Sequence, residues 1–211
     1  METVVGLCQT RLPENMGIPV AEIQVLSPTR KGVCGTMNLN RALQAALNPP
    51  SASKRQKIWG DLVLREGDRV MQTKNNYDVV WQSRDDAMGA GIFNGDVGII
   101  EEIDPSGELV TVCFDDRTCL YTNDMLSQLE LAYAMTVHKA QGSEYRAVVL
   151  ISAPVAPALM VRGVLYTAIT RARELLVLVG DDVTPGAMAA DDRRQRRYSG
   201  LRRRLKEASD Q

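Results

Sequence analysis

The sequence predicts an α/β domain with a mostly parallel sheet, interrupted by a small all-β insert. Three observations predict it. Short apolar runs at 22–26, 147–152 and 174–179 read as buried strands, and stretches of helical spacing alternate with them. Strands that are apolar on both faces belong to parallel sheets covered by helices on both sides. Between these runs lie short strands at 96–103, 108–114 and 118–122, separated by Pro-Ser-Gly and Asp-Asp-Arg turns. Closely spaced strands with tight turns predict a small barrel.

The elements follow in order. Residues 2–12 read as a helix that ends before Pro13. The strand 22–26 runs into Ser-Pro-Thr-Arg-Lys-Gly. Thr36 is a suitable N-cap for the next helix, Leu39, Leu43 and Leu47 repeat at four-residue spacing, and Asn48-Pro49-Pro50 stops it. Residues 51–60 read as a polar loop. Residues 68–73 alternate as a strand, and 75–95, rich in Asn, Asp and Gly, read as a loop. After the three insert strands, 132–140 reads as a helix ending at Gly142, 147–152 as a strand, 158–170 as a helix and 174–179 as a strand. The tail reads as a basic helix with Tyr198, Leu201 and Leu205 on one stripe. The α/β domain is thus expected from 1–91 and 127–211, and the insert from 92–126.

Composition narrows the function. The chain has 211 residues, 45% hydrophobic and 24% charged, with net charge −1. That supports a packed core and excludes overall disorder. Residues 191–207 carry eight Lys or Arg against three Asp or Glu. A basic tail on an acidic body is compatible with nucleic acid and does not require it. Cys8, Cys34, Cys113 and Cys119 show no C-x-x-C spacing, and His138, the single histidine, is far from all four in sequence. No metal site is therefore expected. The most apolar stretch, 147–166, is broken by Pro154, Pro157 and Arg162, so no membrane span is expected. Reduced thiols and a bacterial cytoplasmic location are the expectation.

Two segments can carry chemistry, each beside a buried strand. In Thr136-Val-His-Lys-Ala-Gln-Gly-Ser-Glu144, Thr136, Lys139 and Ser143 suit phosphate oxygens. His138 and Gln141 offer flat polar groups, Gly142 permits close backbone approach, and Glu144 can accept from a ribose hydroxyl. An ordinary capped helix end explains the same residues. In Leu165-Tyr-Thr-Ala-Ile-Thr-Arg-Ala-Arg173, Arg171 and Arg173 can neutralise a transferring phosphoryl group or simply cap a helix C-terminus.

A resemblance bears on that choice. AYAMTVHKAQGSEY (132–145) resembles motif V of RecD-like superfamily 1 DNA helicases, and LYTAITRARE (165–174) resembles their motif VI. VLSPTRKGVCGTMNLNRALQAALNPP (25–50) resembles their motif IV region. GDRVMQTKNNYD (67–78) and IFNGDVGIIEEID (92–104) resemble the entry to their small Src-homology-3-like barrel. The resemblance implies a second RecA-like motor domain with that barrel inserted. It implies Arg171 as the arginine finger, and Gly142, Glu144, Arg30 and Lys31 beside the nucleotide. It implies Thr136, His138, Gln141 and Thr167 toward single-stranded DNA, with Lys74, Asn75 and Asn76 as further DNA contacts. It also implies 5′-to-3′ movement.

A motor also needs a phosphate-binding loop, G-x-x-x-x-G-K-[ST], and a metal-holding acidic strand end. No glycine here is followed by lysine. LVLVGDD (176–182) is interrupted by Gly180, and GAGIFNG (89–95) has the wrong glycine spacing for a dinucleotide site. The expectation is a part of a longer enzyme, inactive alone, whose ATP and Mg²⁺ are shared with an N-terminal RecA-like domain. Single-stranded DNA and other recombination or repair subunits are its expected partners. A DNA- or protein-binding module of helicase descent, and the helicase part of a conjugative relaxase, are the alternatives.

Overall fold

Two sheets of opposite character organise the chain. The computed structural model describes residues 1–193 together with Gly200, Arg204 and Ala208; the basic tail helix expected around Tyr198, Leu201 and Leu205 lies outside the described residues.

Helix α1 (Glu2–Gly6) passes through a π turn (Leu7–Arg11) into α2 (Leu12–Met16), which ends at Gly17 with φ 62°. The helix therefore does not stop before Pro13. The ladder widens just ahead of the proline, where the Leu12 N–H bonds the Leu7 carbonyl, and Pro13 sits in the first turn beyond, where its missing N–H is tolerated.

Strand β1 (Ile23–Ser27) leads to α3 (Thr36–Leu47). Gly35, not Thr36, is the N-cap. The Thr29 and Arg30 carbonyls accept from the Thr36 and Met37 N–H groups, so the loop itself satisfies the helix start and no side-chain cap is needed.

Part of the stretch expected to be a polar loop, 51–60, forms β2 (Gln56–Trp59), which pairs with β3 (Leu62–Arg65) in a hairpin turning at Gly60 with φ 56°. Strand β2 alternates exposed and half-buried residues, which carries a faint apolar signal, while Leu64 of β3 is fully buried in the core. Next come β4 (Arg69–Gln72), β5 (Asn76–Ser83) and β6 (Met88–Ile92). The stretch 75–95 is thus mostly strand; Asp85 and Asp86, the latter at φ 61°, lie in the turn, while Gly89 and Gly91 lie within β6 rather than in a long loop. Strands β7 (Val97–Ile103), β8 (Leu109–Phe114), β9 (Arg117–Thr122) and β10 (Leu129–Leu131) complete an antiparallel sheet in the order β10-β4-β7-β8-β9-β5-β6. This sheet runs from Arg69 to Leu131 and so reaches beyond 92–126 at both ends.

The chain then returns through β11 (Ala134–Thr136), β12 (Tyr145–Ser152), α4 (Arg162–Ile169), β13 (Ala172–Gly180) and α5 (Val183–Ala190). The helix expected over 132–140 is instead β11 followed by turns. Asn40 of α3 is the cause: its Oδ1 accepts from the Ala134 N–H (2.7 Å), and its Nδ2 donates to the Leu131 and Ala134 carbonyls (2.8 and 2.9 Å). That grip holds the backbone extended, which apolar spacing alone cannot reveal. Helix α4 also begins later than residue 158, because Ala156 to Met160 form turns.

The second sheet is parallel throughout, in the order β11-β1-β12-β13, with Val25 opposite both Ala134 and Val149. One face packs Ile23, Val25 and Val149 against Val4, Cys8, Leu12, Leu39 and Leu43 of the N-terminal helices and α3. The other packs Leu26, Met135, Val148 and Leu150 against Val164, Leu165, Ala168 and Met188 of α4 and α5.

Asp68, just before β4, ties the antiparallel sheet to α3 and to the connection between β10 and β11. It is fully buried and accepts from Gln44 Nε2 (2.5 Å), Asn48 Nδ2 (2.7 Å), the Arg65 N–H (2.7 Å) and Tyr133 Oη (2.9 Å). Burial pushes its pKa up, opposed by those donors.

Candidate functional site

The carboxyl ends of β11 and β12 open onto a cleft of about 680 Å³. The turns after β11 supply His138 and Gln141, the segment after β12 supplies Pro157, and α4 supplies Arg162, Tyr166 and Thr167. Crevices at the carboxyl ends of parallel strands are the usual ligand sites of open α/β sheets. His138, Gln141 and Tyr166 are exposed there, with Tyr166 at 68%. The structure thus gathers three residues singled out in the sequence, His138, Gln141 and Thr167, around one cleft. Thr136 ends β11 just below it, and its carbonyl accepts from the Lys139 and Ala140 N–H groups.

Gly142, Glu144 and Arg171 lie at the amino ends of β12 and β13. Gly142 takes φ 92°, a left-handed turn that lets the chain leave the cleft and enter β12. Arg171 follows α4 and folds back on its surroundings. Its Nε donates to the Thr167 carbonyl (3.1 Å), Nη1 to the Ser143 carbonyl (2.9 Å) and Nη2 to Thr170 Oγ1 (3.0 Å). The Tyr145 N–H in turn donates to the Arg171 carbonyl (2.8 Å). Arg171 therefore braces the end of α4 to the loop before β12. Among the described residues no carboxylate pairs with it, so its charge rests on neutral oxygens. Glu144 and Arg173 are exposed.

On the far side of the parallel sheet's carboxyl edge, Arg30 and Lys139 meet at Glu130 of β10. Arg30 Nη2 lies 2.6 Å from one carboxylate oxygen and Lys139 Nζ 3.1 Å from the other. Lys31 is exposed, and its carbonyl accepts from Thr29 Oγ1 (3.0 Å). Glu130 was missed in the sequence; a lone acid between the leucines of a short strand carries no local signal. Arg162 was missed too, hidden by the expectation that α4 began earlier.

Lys74 and Asn75 lie on the connection from β4 to β5, Asn76 opens β5, and none of the three lines the cleft. Asn75 Oδ1 accepts from the Asn94 N–H (3.0 Å), Asn76 Nδ2 donates to Gln128 Oε1 (3.0 Å), and Asn76 Oδ1 accepts from the Asp78 N–H (3.0 Å). Both asparagines thus hold loops of the antiparallel sheet, while Lys74 is exposed. Among the described residues no cluster of His, Cys, Asp or Glu could hold a metal ion, and no helix is long and apolar enough to cross a membrane.

Comparison with known proteins agrees with this geometry. Residues 39–114 match the family model of the ATP-dependent RecD-like DNA helicase SH3 domain, and residues 131–179 match the UvrD-like helicase C-terminal domain. The chain is 35% identical over 184 residues to an ATP-dependent RecD2 DNA helicase of Deinococcus radiodurans, covering 87% of this chain and 23% of that protein. It is 30% identical over 187 residues to the RecBCD enzyme subunit RecD of Mycolicibacterium smegmatis, covering 89% of this chain and 30% of the relative. It therefore spans less than a third of either relative. Among solved structures, the Bacteroides Pif1 helicase in complex with ADP-AlF3 and ssDNA superposes with a TM-score of 0.51 at 16% identity, covering 99% of this chain and 49% of that one. Pif1 helicase from Candida albicans gives 0.50 at 17%, covering 99% and 53%. At those identities the likeness shows the fold alone: a RecA-like parallel sheet with a small Src-homology-3-like barrel inserted. With both family models and both relatives matched in this order, the chain belongs to the RecD-like superfamily 1 helicases and represents their C-terminal region.

Proposed function

We propose that this chain is the second motor domain of an ATP-dependent DNA helicase, closing half of the nucleotide cleft and holding part of the single-stranded DNA track. The observation that carries the reading is Arg171: a half-buried guanidinium on neutral oxygens, with no carboxylate partner among the described residues. A cation so placed attracts an incoming anion without first breaking an ion pair. ATP, shared with an N-terminal RecA-like domain that would also hold Mg²⁺, supplies the γ-phosphoryl group. Arg171 would leave the Ser143 and Thr167 carbonyls to neutralise charge there. Gly142, with open space around it, and the exposed Glu144 would sit toward the ribose. Arg30 and Lys31 remain candidates on the nucleotide side.

Thr136, His138, Gln141 and Thr167 would face the DNA strand. Arg171 joins the two sets: it binds Thr167 on the cleft helix and Ser143 on the loop that carries Gln141 and Gly142. Nucleotide-dependent movement of Arg171 would therefore be felt at the cleft, which is the coupling a translocating motor needs. Lys74, Asn75 and Asn76 would contribute only at the barrel end of the track. The expected movement is 5′-to-3′, and recombination or repair subunits are the expected company. The reading is tested by fluorescence anisotropy of a labelled oligothymidylate and a mixed-sequence strand of equal length. Salt-sensitive, sequence-tolerant binding, weakened by combined His138→Ala and Gln141→Ala, is expected. Binding untouched by that pair would remove the cleft from the DNA track.

A further inference from the structure

We propose that Arg30 and Lys139 form a phosphodiester site for single-stranded nucleic acid, and that Glu130 occupies it as an internal stand-in for the phosphate when no strand is bound. The inference rests on the reading above that the chain binds DNA, and it reassigns Arg30 from the nucleotide to the strand.

The site is built by topology. β1 and β11 are adjacent and parallel, with Ser27 opposite Thr136, so the loops that leave their carboxyl ends emerge side by side. One carries Arg30 and the other Lys139. Their backbones are fixed: the Arg30 carbonyl accepts from the Met37 N–H, and the Lys139 N–H donates to the Thr136 carbonyl. Only the side chains are left to move. Glu130 comes from β10 of the other sheet, which pairs with β4, opposite Met71. It offers one oxygen to each cation, at 2.6 and 3.1 Å. Two oxygens of one anion shared between two cations is the arrangement that the non-bridging oxygens of a phosphodiester would reproduce.

Exposure makes exchange feasible. The side chains of Arg30, Lys139 and Glu130 are 61%, 31% and 33% exposed, so the cations are reachable and the pairs are screened by water, where such bridges contribute little to stability. A phosphodiester brings the same charge as the carboxylate and, in addition, releases its condensed counterions on binding. Glu130 would therefore yield to a strand at low salt and return when the strand leaves. While in place it weakens the site and keeps two cations from binding anions indiscriminately. The position also fits a track: Arg30 and Glu130 border a groove of about 490 Å³ that continues past Arg41 to the half-buried ring of Trp59, a surface on which a base can stack.

The test is salt-dependent binding of an oligothymidylate to this chain and two variants, each checked for folding by circular dichroism. Glu130→Gln, which keeps the shape and removes the charge, is expected to tighten binding several-fold at low salt and to steepen the plot of log affinity against log salt. The paired variant Arg30→Gln with Lys139→Gln is expected to weaken binding and flatten that plot by about 0.7, the slope of one phosphate released from contact. A purely structural role for Glu130 would make Glu130→Gln weaken binding or leave both affinity and slope unchanged, and either result overturns the proposal. If the wild-type chain binds no strand at all, the DNA reading fails first and the proposal falls with it. Unchanged binding in Glu130→Gln beside clear wild-type binding defeats the proposal alone.

Discussion

Asp68→Ala is expected to cost the protein much of its stability. The carboxylate is fully buried and accepts four hydrogen bonds, from Gln44 of α3, Asn48 just beyond its end, the Arg65 backbone and the Tyr133 hydroxyl. Alanine would leave all four donors facing a void. Each stranded buried donor costs about 1–3 kcal/mol. Relaxation and entering water recover part of this, which places the net loss at about 3–5 kcal/mol, comparable to breaking a buried ion pair. For a domain of this size that is on the order of 10 °C in Tm. Urea unfolding followed by tryptophan fluorescence gives the free energy. Tyr133→Phe removes a single donor and is expected to cost about 1 kcal/mol. The double variant should cost less than the sum, because the two share a bond. A loss below about 1 kcal/mol for Asp68→Ala would show that this network does not hold α3 and the β10–β11 connection to the antiparallel sheet, and the account of how they are joined would fail.

Other consequences follow from local chemistry. The Glu66 carboxylate accepts from the Ile103 and Arg55 backbone N–H groups, at 3.0 and 2.9 Å, and these bonds hold its pKa below the ordinary value. The stability it contributes is therefore present above the unfolded pKa and lost as pH falls through the lower folded one. The gap between wild type and Glu66→Gln, followed by urea titration, should close on acidification below about pH 4; a gap constant with pH would contradict this. Burial pushes the thiols of Cys8 and Cys119 up to about 12, so a thiol reagent at pH 8 should label the half-buried Cys34 first and reach those two only on unfolding. Rapid native labelling of Cys8 would show that the N-terminal helix does not cover the sheet. Gly142 and Gly180 should differ under substitution by alanine. At Gly142, with φ 92° and open space, the cost is backbone strain of about 1–2 kcal/mol. At Gly180 a Cβ would meet the Ser152 carbonyl oxygen at 1.6 Å, so thermal melts should show the larger loss there.

The parallel sheet was legible because its strands are apolar on both faces, and the three longer ones were located to within a few residues. The fourth, β11, was not. Alanine, methionine and threonine over three residues fit helix and strand alike, and the residue that decides, Asn40, lies 94 positions away. The same limit hid β2, β3, β5 and β6. Their stability comes from cross-strand partners, with Trp81 opposite both Gly89 and Cys119; of the residues that suggest a loop, Asp85 and Asp86 lie in the hairpin turn and Gly89 and Gly91 lie in β6. At the site, residues near one another in sequence were found together: His138 and Gln141 share a turn, and Thr167 joins them from α4. What sequence could not show was the pairing across sheets. Nothing in LEL predicts that Glu130 bridges Arg30 and Lys139, and nothing in TRAR predicts that Arg171 reaches back to Ser143.

The most direct test of the central claim is ATP turnover by this chain mixed with a separately prepared N-terminal RecA-like domain of a RecD-like helicase, with and without single-stranded DNA. The account predicts turnover in the mixture and in neither part alone, stimulation by DNA, and loss with Arg171→Ala and with Arg171→Lys, since lysine keeps the charge but not the planar fork, while both variants stay folded and still bind DNA. Turnover that survives both substitutions, or none from parts shown to associate, would contradict the assignment of Arg171 as the finger that completes the nucleotide site.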